Sequence, residues 1–402
     1  MQAKGVSVMK EPCSTTPTVD QVILGIEVEK LRVDRQGAVS QQPYPTDLTP
    51  AVRDYVDREY FEAQVEFTLP PTADVVANLA TGTQIIGEVA RQLAPAEWLW
   101  PYSCPPPLAA PPTLAQISRV PEATYPYRRT LSGWYDMRRL MNNGVHINVS
   151  FAASAVAKLV AQSPLSDANA LYMHVAQQFM RYQWVFVYLF GATPASFAGY
   201  APGADLPVPV RSVRSGQAGF PTSITGDYRS LEHYVSRLES ALASGELLRA
   251  SQYYEPVRLK GLRGKAPQQL RAGISHLELR AFDLNPTTST GVTADQLRLI
   301  QVMAMYFAQQ PPLAADQVAT VLAQSRRQSE QVAHEDPRTP SCCAAAGRRL
   351  LTHLEAYAER QGLPLAYQKS LQSFLQEFQD PRRTLVYRVW TQQLQPALTV
   401  QA

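Results

Sequence analysis

The sequence predicts an α+β fold, with mainly antiparallel strands in the first 290 residues and a helical C-terminal part. Two observations carry this. Residues 25–29, 60–67, 145–151 and 276–282 alternate apolar and polar side chains, the two-residue period of a strand. From Thr293 onward the apolar residues recur with helical period, over roughly 294–308, 315–330, 343–361, 365–379 and 383–395.

The elements follow in order. Residues 1–20 look irregular. A strand at 21–34 is turned by Arg35-Gln36-Gly37, and a proline-bearing loop fills 41–50. A second strand spans 60–69. Pro70-Pro71-Thr72 then opens a helix, with Thr72 as N-cap and Val75, Val76, Leu79, Ile86, Val89 and Leu93 at helical spacing. The prolines of 101–121 demand loop or extended chain. A helix near 131–140 precedes the strand at His146. Residues 167–190 read as one long buried helix stopped near Gly191 and Pro194. A Pro-, Gly- and Ser-rich loop covers 198–223. Residues 230–243 are amphipathic, with Leu231, Tyr234, Val235, Leu238 and Leu242 on one stripe. Asp283-Leu284-Asn285-Pro286 is a turn by composition, and 336–341 is the best linker candidate in the helical half.

Composition narrows the function. The 402 residues, 45% hydrophobic and 18% charged, describe a soluble globular protein of one large domain or two. A formal net charge of +3 gives nucleic-acid binding no bulk electrostatic support. No secretory signal is evident near the N-terminus. The longest apolar run, 184–195, is too short for a bilayer, so no membrane partner and a cytoplasmic location are expected. Cys13, Cys104, Cys342 and Cys343 show neither metal spacing nor a disulfide framework, which suits reduced thiols.

The polar faces of the strands point to chemistry. Leu24, Ile26 and Val28 point one way and Glu27 and Glu29 the other. Like charges at that spacing repel unless cations or water come between them. Glu62, Gln64 and Glu66 share a face, as do His146, Asn148 and Ser150, and His276, Glu278 and Arg280. Gathered on one sheet, such groups suit hard cations and phosphate.

Six blocks in order resemble the bacterial glutamate–cysteine ligase family: Gly25-Ile26-Glu27-Val28-Glu29; Glu59-Tyr60 with Glu66; Gly144-Val145-His146-Ile147-Asn148; Tyr188-Leu189-Phe190-Gly191-Ala192-Thr193-Pro194; Tyr254-Glu255-Pro256-Val257-Arg258; and Leu277-Glu278-Leu279-Arg280-Ala281-Phe282-Asp283-Leu284-Asn285-Pro286. The resemblance runs from about residue 20 to about residue 310. It implies a glutamine synthetase-like fold whose curved antiparallel sheet lines the active site. It also implies a catalytic domain at 21–310; the order of elements adds an irregular segment at 1–20 and a helical part at 311–402 packed on the same body. The implied reaction joins glutamate to cysteine with ATP and Mg²⁺ (Mn²⁺ possible) through γ-glutamyl phosphate, the first step of glutathione biosynthesis. Glutamate, cysteine and ATP would be the partners of a monomer or small homo-oligomer. Glu27, Glu29, Glu59, Glu66, His146 and Glu278 would hold the metal ions. Arg280 would act on the phosphoryl group, Tyr60, Tyr135 and Tyr254 would line the cysteine pocket, and Asn148 and Arg258 would serve the substrates.

Bland alternatives stand beside these roles. The carboxylates could be solvated strand residues, Arg280 a plain salt bridge, and the tyrosines ordinary core. Glu59 lies off the alternating face of Glu66. Gly261-Leu262-Arg263-Gly264-Lys265 lacks the spacing of a phosphate-cradling loop. The chain also departs from the family. A Thr-Ser-x-Arg block ending in Gly-Tyr, whose arginine serves the substrate pocket, reads Thr222-Ser223-Ile224-Thr225-Gly226-Asp227-Tyr228-Arg229 here. Thr225 then replaces the arginine, and Arg229 or nothing compensates. Residues 323–341 do not resemble the family's later arginine-glycine region. Ligation with another acid or amine, or a degenerate homologue that only binds, follow as alternatives.

Overall fold

The computed structural model describes residues 17–93, 95–200, 209–219, 224–264 and 266–394. The first sixteen residues with Cys13, much of the 198–223 loop with Thr222 and Ser223, Lys265, and the end of the last helix lie outside the described residues.

Seven strands are described: β1 (Val22–Asp34), β2 (Val56–Arg58), β3 (Gln64–Thr72), β4 (Glu97–Leu99), β5 (Val145–Phe151), β6 (Val257–Gly261) and β7 (Ile274–Phe282). Six of them form a sheet in the order β2-β3-β1-β5-β7-β6 with every neighbour antiparallel, and β4 pairs with the end of β1. The helices are α1 (Pro50–Arg53), α2 (Val75–Leu93), α3 (Tyr125–Leu131), α4 (Ala153–Ala161), α5 (Ala168–Arg181), α6 (Gln183–Phe190), α7 (Leu231–Ala243), α8 (Ala294–Ala308), α9 (Ala315–His334), α10 (Ala344–Arg360), α11 (Leu365–Gln379) and α12 (Leu385–Val389).

Alternation along the strands separates two environments. Ile26, Val28, Val65, Phe67, Ile147, Val149, Leu277 and Leu279 are buried in the main apolar core. Helices α2, α5, α6 and α8 contact the strands, and Leu171, Val175, Phe179, Leu297, Ile300 and Met303 fill the space between. The same core continues through α10 and α11 to Phe378, so the C-terminal helices share it with the sheet. Tyr188 stacks on Phe378 with ring centroids 4.2 Å apart.

Four expectations shift. The second strand begins at Gln64, because 61–64 form a turn in which Gln64 N–H donates to Phe61 C=O at 3.0 Å. The α2 cap is Asp74, whose Oδ1 accepts from Val76 and Ala77 N–H at 3.0 Å each, while Thr72 only holds Asp74 in place. The helix expected at 131–140 lies earlier, as α3, where Pro126 suits the first turn. The expected 167–190 helix breaks at Tyr182. There the Met180 carbonyl accepts side-chain donors instead, Gln183 Nε2 at 3.0 Å and Ser325 Oγ at 2.8 Å.

Glu377 on α11 is buried, and its Oε2 has no hydrogen-bond partner. Burial pushes this carboxyl from 4.5 up to about 8, against the pull of Arg388 and Arg383. The unfolded chain therefore ionises it first. Its contribution to stability is complete below about pH 4.5 and drains away as pH rises towards 8. Replacing Glu377→Gln removes that loss. Urea unfolding is expected to show the variant more stable by about 1–3 kcal/mol at pH 8, with the gap closing towards pH 4.5.

Candidate active site

A cavity of about 1050 Å³ opens on the polar face of the sheet. Register decides which side chains meet there. Glu29 stands opposite Glu66, Glu27 opposite His146, and Glu278 between Asn148 and Arg258. Directly opposed side chains lie about 5 Å apart, so strand pairing alone delivers a cluster.

The carboxylates form two overlapping groups. One atom each from Glu27, Glu66 and His146 lie within 4.8 Å of one another, and so do atoms from Glu29, Glu59 and Glu66. Glu59 joins because the chain between β2 and β3 turns back on the sheet, a course that strand alternation does not encode. Asn148 Nδ2 donates to Glu27 Oε1 at 2.8 Å, and Gly144 N–H donates to Glu29 Oε2 at 2.8 Å. His146 sits between the two groups, Nδ1 3.3 Å from Glu27 Oε2 and Nε2 3.5 Å from Glu29 Oε1.

Crowding tunes the acids. Burial, then the charges of Glu59, Glu27 and Glu29, holds Glu66 well above the ordinary carboxylate range. Burial and Glu29 lift Glu59 to about 7. Burial opposes ionisation of Glu27 too, but hydrogen bonding and charge from His146 outweigh it and bring Glu27 down to about 2. Acids that suppress one another's ionisation, next to a buried His146 Nε2 that makes no hydrogen bond, form a donor set fitted to hard divalent cations.

Cations flank this cluster. Glu278 belongs to neither group and instead meets Lys260 Nζ at 2.8 Å, and Arg258 and Arg280 Nη1 at 3.3 Å each. Burial resists its charge, yet Arg280, Arg258 and Lys260 hold it well below the usual range. Arg280 lines the cavity. Its half-buried guanidinium loses some water, yet Glu278, Glu29, Glu27 and Glu59 outweigh that and keep it charged. Arg258 is pinned by the Tyr253 and Ser251 carbonyls. Lys260 was missed, although Arg258 and Lys260 alternate on one short strand.

The aromatic residues divide. Tyr60 and Tyr254 line the cavity, joined by Tyr127. Tyr60 OH donates to the Arg128 carbonyl at 2.7 Å. Tyr135 stands behind Tyr254, ring centroids 6.0 Å apart, and accepts from Gln252 Nε2 at 2.9 Å. Tyr135 is therefore a support to the lining Tyr254, and Asn148 a support to Glu27 of the carboxylate cluster.

The arginine reading needs correction. Arg229 does not compensate at Thr225: its side chain is 47% exposed and pairs with Asp227. Arg214 lines the cavity instead, lying over Gly144, where an added Cβ would come 2.0 Å from Nη2. Its Nη1 donates to the Arg280 carbonyl at 3.4 Å. The signal was present, since Ser212-Val213-Arg214 ends five residues later at Gly219, a second Ser-x-Arg stretch upstream of Thr222. Helix α9, from the stretch that looked unlike the family, adds Arg326, Ser329 and Glu330 to the wall.

A family model described as glutamate–cysteine ligase matches residues 8–246 and 222–328. The glutathione biosynthesis bifunctional protein of Lactiplantibacillus plantarum is 32% identical over 377 residues, 92% of this chain and 50% of that protein. The corresponding protein of Streptococcus thermophilus is 32% identical over 386 residues, again 92% and 50%. The chain thus spans about half the length of these curated relatives. The crystal structure of a bifunctional glutathione synthetase from Pasteurella multocida superposes with a TM-score of 0.79 at 28% identity, covering 92% of this chain and 49% of that one. A glutamate–cysteine ligase from Francisella tularensis shares the fold, with a TM-score of 0.79 at 19% identity over 92% of this chain and 84% of that one. Motif order, fold and sequence agree, and the chain belongs to the glutamate–cysteine ligase family.

Proposed function

We propose that this chain joins the γ-carboxylate of L-glutamate to the amine of L-cysteine at the expense of ATP, the first step of glutathione biosynthesis. A γ-carboxylate oxygen takes the terminal phosphoryl group of ATP, and ADP leaves. The cysteine amine then attacks the acyl carbon and loses a proton, and phosphate departs with the oxygen it received. The products are γ-glutamylcysteine, ADP and phosphate.

The observation that carries this reading is the meeting, at one cavity, of Glu29, Glu59, Glu66 and His146 with the half-buried, charged Arg280. Glu27, Glu29, Glu59, Glu66 and His146 would hold Mg²⁺, or Mn²⁺, with Glu278 joining where an ion displaces its cations. Bound there, divalent ions neutralise phosphate charge that the carboxylates alone would repel. Arg280 presents a guanidinium to the phosphoryl oxygens as charge shifts between donor and acceptor. Tyr60 and Tyr254 bound the amino-acid end, with Arg258 and Tyr135 fixing Tyr254 from behind, and Asn148 orients Glu27. Arg214 removes the motive for a different acid or amine substrate, because the cavity does contain the cation that Thr225 lacks. Small molecules are the partners of such a site. No helix among the described residues is long and apolar enough to cross a membrane, and a cytoplasmic location suits the proposed reaction.

Purified chain with ATP, Mg²⁺, L-glutamate and L-cysteine is expected to release phosphate and form the dipeptide, and omission of either amino acid should stop dipeptide formation. No turnover with any amino-acid pair from a folded sample would sink the reading. Arg280→Lys keeps the charge but loses the fork, and its kcat is expected to fall about 10²–10³-fold.

The metal assignment has its own readout. Glu66 belongs to both ligand groups. Titration calorimetry with Mn²⁺ should show Glu66→Gln binding the ion weaker by about tenfold or more. Affinity equal to that of the parent would remove Glu66 from the ligand set.

A further inference from the structure

The cavity wall farthest in sequence from the strands holds an ion pair that the reaction outlined above does not use. Glu255 is 1% exposed, with its oxygens turned to Arg326 of α9. Arg326 Nη2 donates to Glu255 Oε1 at 2.8 Å and Nε to Oε2 at 3.3 Å. Glu255 Oε1 also accepts the Gly226 N–H at 3.0 Å. That carboxylate therefore holds one edge of the guanidinium in a fixed plane. Among the described residues Nη1 of Arg326 has no hydrogen-bond partner, and its side chain remains 24% exposed in the cavity wall.

The other cavity arginines are committed elsewhere. Arg128 donates to the Ser118 and Val120 carbonyls, and Arg258 to those of Tyr253 and Ser251. Arg58 stacks on Tyr44 beside Glu62, and Arg249 stacks on Tyr127 and donates to the Ala123 carbonyl. Arg280 faces Glu278 and His146, and Arg214 lies over Gly144 beside the carboxylate cluster. Arg326 alone is offered by α9, next to Ser329 and Glu330 and adjoining Tyr254 through Glu255. A guanidinium edge beside hydroxyls and a carboxylate complements a zwitterion better than a polyphosphate, which Glu330 would repel. Both amino acids of the proposed reaction keep a carboxylate that takes no part in the chemistry. Of the two, the ligase reading seats the acceptor, cysteine, at the wall formed by Tyr60 and Tyr254.

We propose that Arg326, braced by Glu255, is a specificity-determining residue that binds the free carboxylate of the acceptor amino acid. The inference rests on the ligase reading and adds a recognition contact to it. An acceptor lacking a carboxylate gains nothing from Arg326, whereas an α-amino acid does.

Steady-state kinetics on the full chain with L-cysteine and with cysteamine, its decarboxylated analogue, test this. Truncating Arg326 alone would strand a buried carboxylate, so the double variant Arg326→Met/Glu255→Gln removes both charges, and Arg326→Lys keeps one. For the double variant, KM for cysteine is expected to rise about 10- to 100-fold, while kcat/KM for cysteamine and KM for glutamate and ATP stay within about twofold. Arg326→Lys should recover part of the cysteine affinity. Equal losses with cysteine and cysteamine would overturn the proposal in favour of a purely structural pair, as would an unchanged KM for cysteine. A parent protein inactive with both amines, though folded, removes the ligase reading and this contact with it. An active parent with a non-selective variant removes the contact alone.

Discussion

Carboxylates that repel one another are held within reach of shared cations, and for Glu27, Glu29 and Glu66 the means of holding them is the hydrogen-bonded register of the sheet. Strands pair about 4.8 Å apart, so Glu29 opposite Glu66 and Glu27 opposite His146 have no freedom to separate without breaking the ladder. The force that keeps the ladder in register lies on the other face. Ile26, Val28, Val65, Phe67, Ile147 and Leu279 are fully or almost fully buried against helices. Slipping one strand by a residue would bring apolar side chains into the cavity and drive glutamates into the core. Apolar burial beneath the sheet thus offsets electrostatic strain above it. The raised Glu59 and Glu66 carboxyls are the visible residue of that strain.

This separation explains what was legible in the sequence. Period-two alternation over 25–29, 145–151 and 276–282 encodes the strands, the polar rows and thus Glu27, Glu29, His146, Glu278 and Arg280. Helical periodicity after Thr293 encodes five helices whose bounds agree closely with α8 to α12 and the short helical turn after it. Contacts made by irregular chain carry no such period. Glu59 reaches the cluster from a turn. The break at Tyr182 depends on a hydroxyl from Ser325, 143 positions away from it in the chain, which no local pattern announces. Tyr135 and Tyr254 carry the same residue type, and only packing decides which faces the cavity.

The segment that carries Arg214 shows how distant parts are coupled. The buried Asp283 carboxylate, just beyond β7, accepts from Ala192 N–H, Thr193 Oγ1 and Ser212 Oγ at 2.7, 2.7 and 2.9 Å. On the other side Arg211 is wholly buried, with Nε 2.9 Å from Glu335 and Nη2 2.7 Å from the Thr339 carbonyl. Both Arg211 and Ser212 N–H groups donate to the Ala333 carbonyl at the end of α9. Arg214 is thus fixed between the strand that bears Arg280 and the helix that bears Arg326. The helical C-terminal part is a wall of the site as well as a prop for the sheet.

Charge is not spread evenly through the cavity. Acids dominate where Glu29, Glu59 and Glu66 meet; arginines dominate where Arg214 and Arg280 lie over Gly144 and β7. A bare triphosphate approaching the acidic end would meet like charge. The same triphosphate carrying divalent ions would satisfy the acids and leave its terminal oxygens to Arg280. Under the proposed function, the sheet therefore favours the metal–nucleotide complex over its separate parts. The preference arises from where β1, β3 and the turn before β3 place their glutamates, before any contact with the base or sugar is considered.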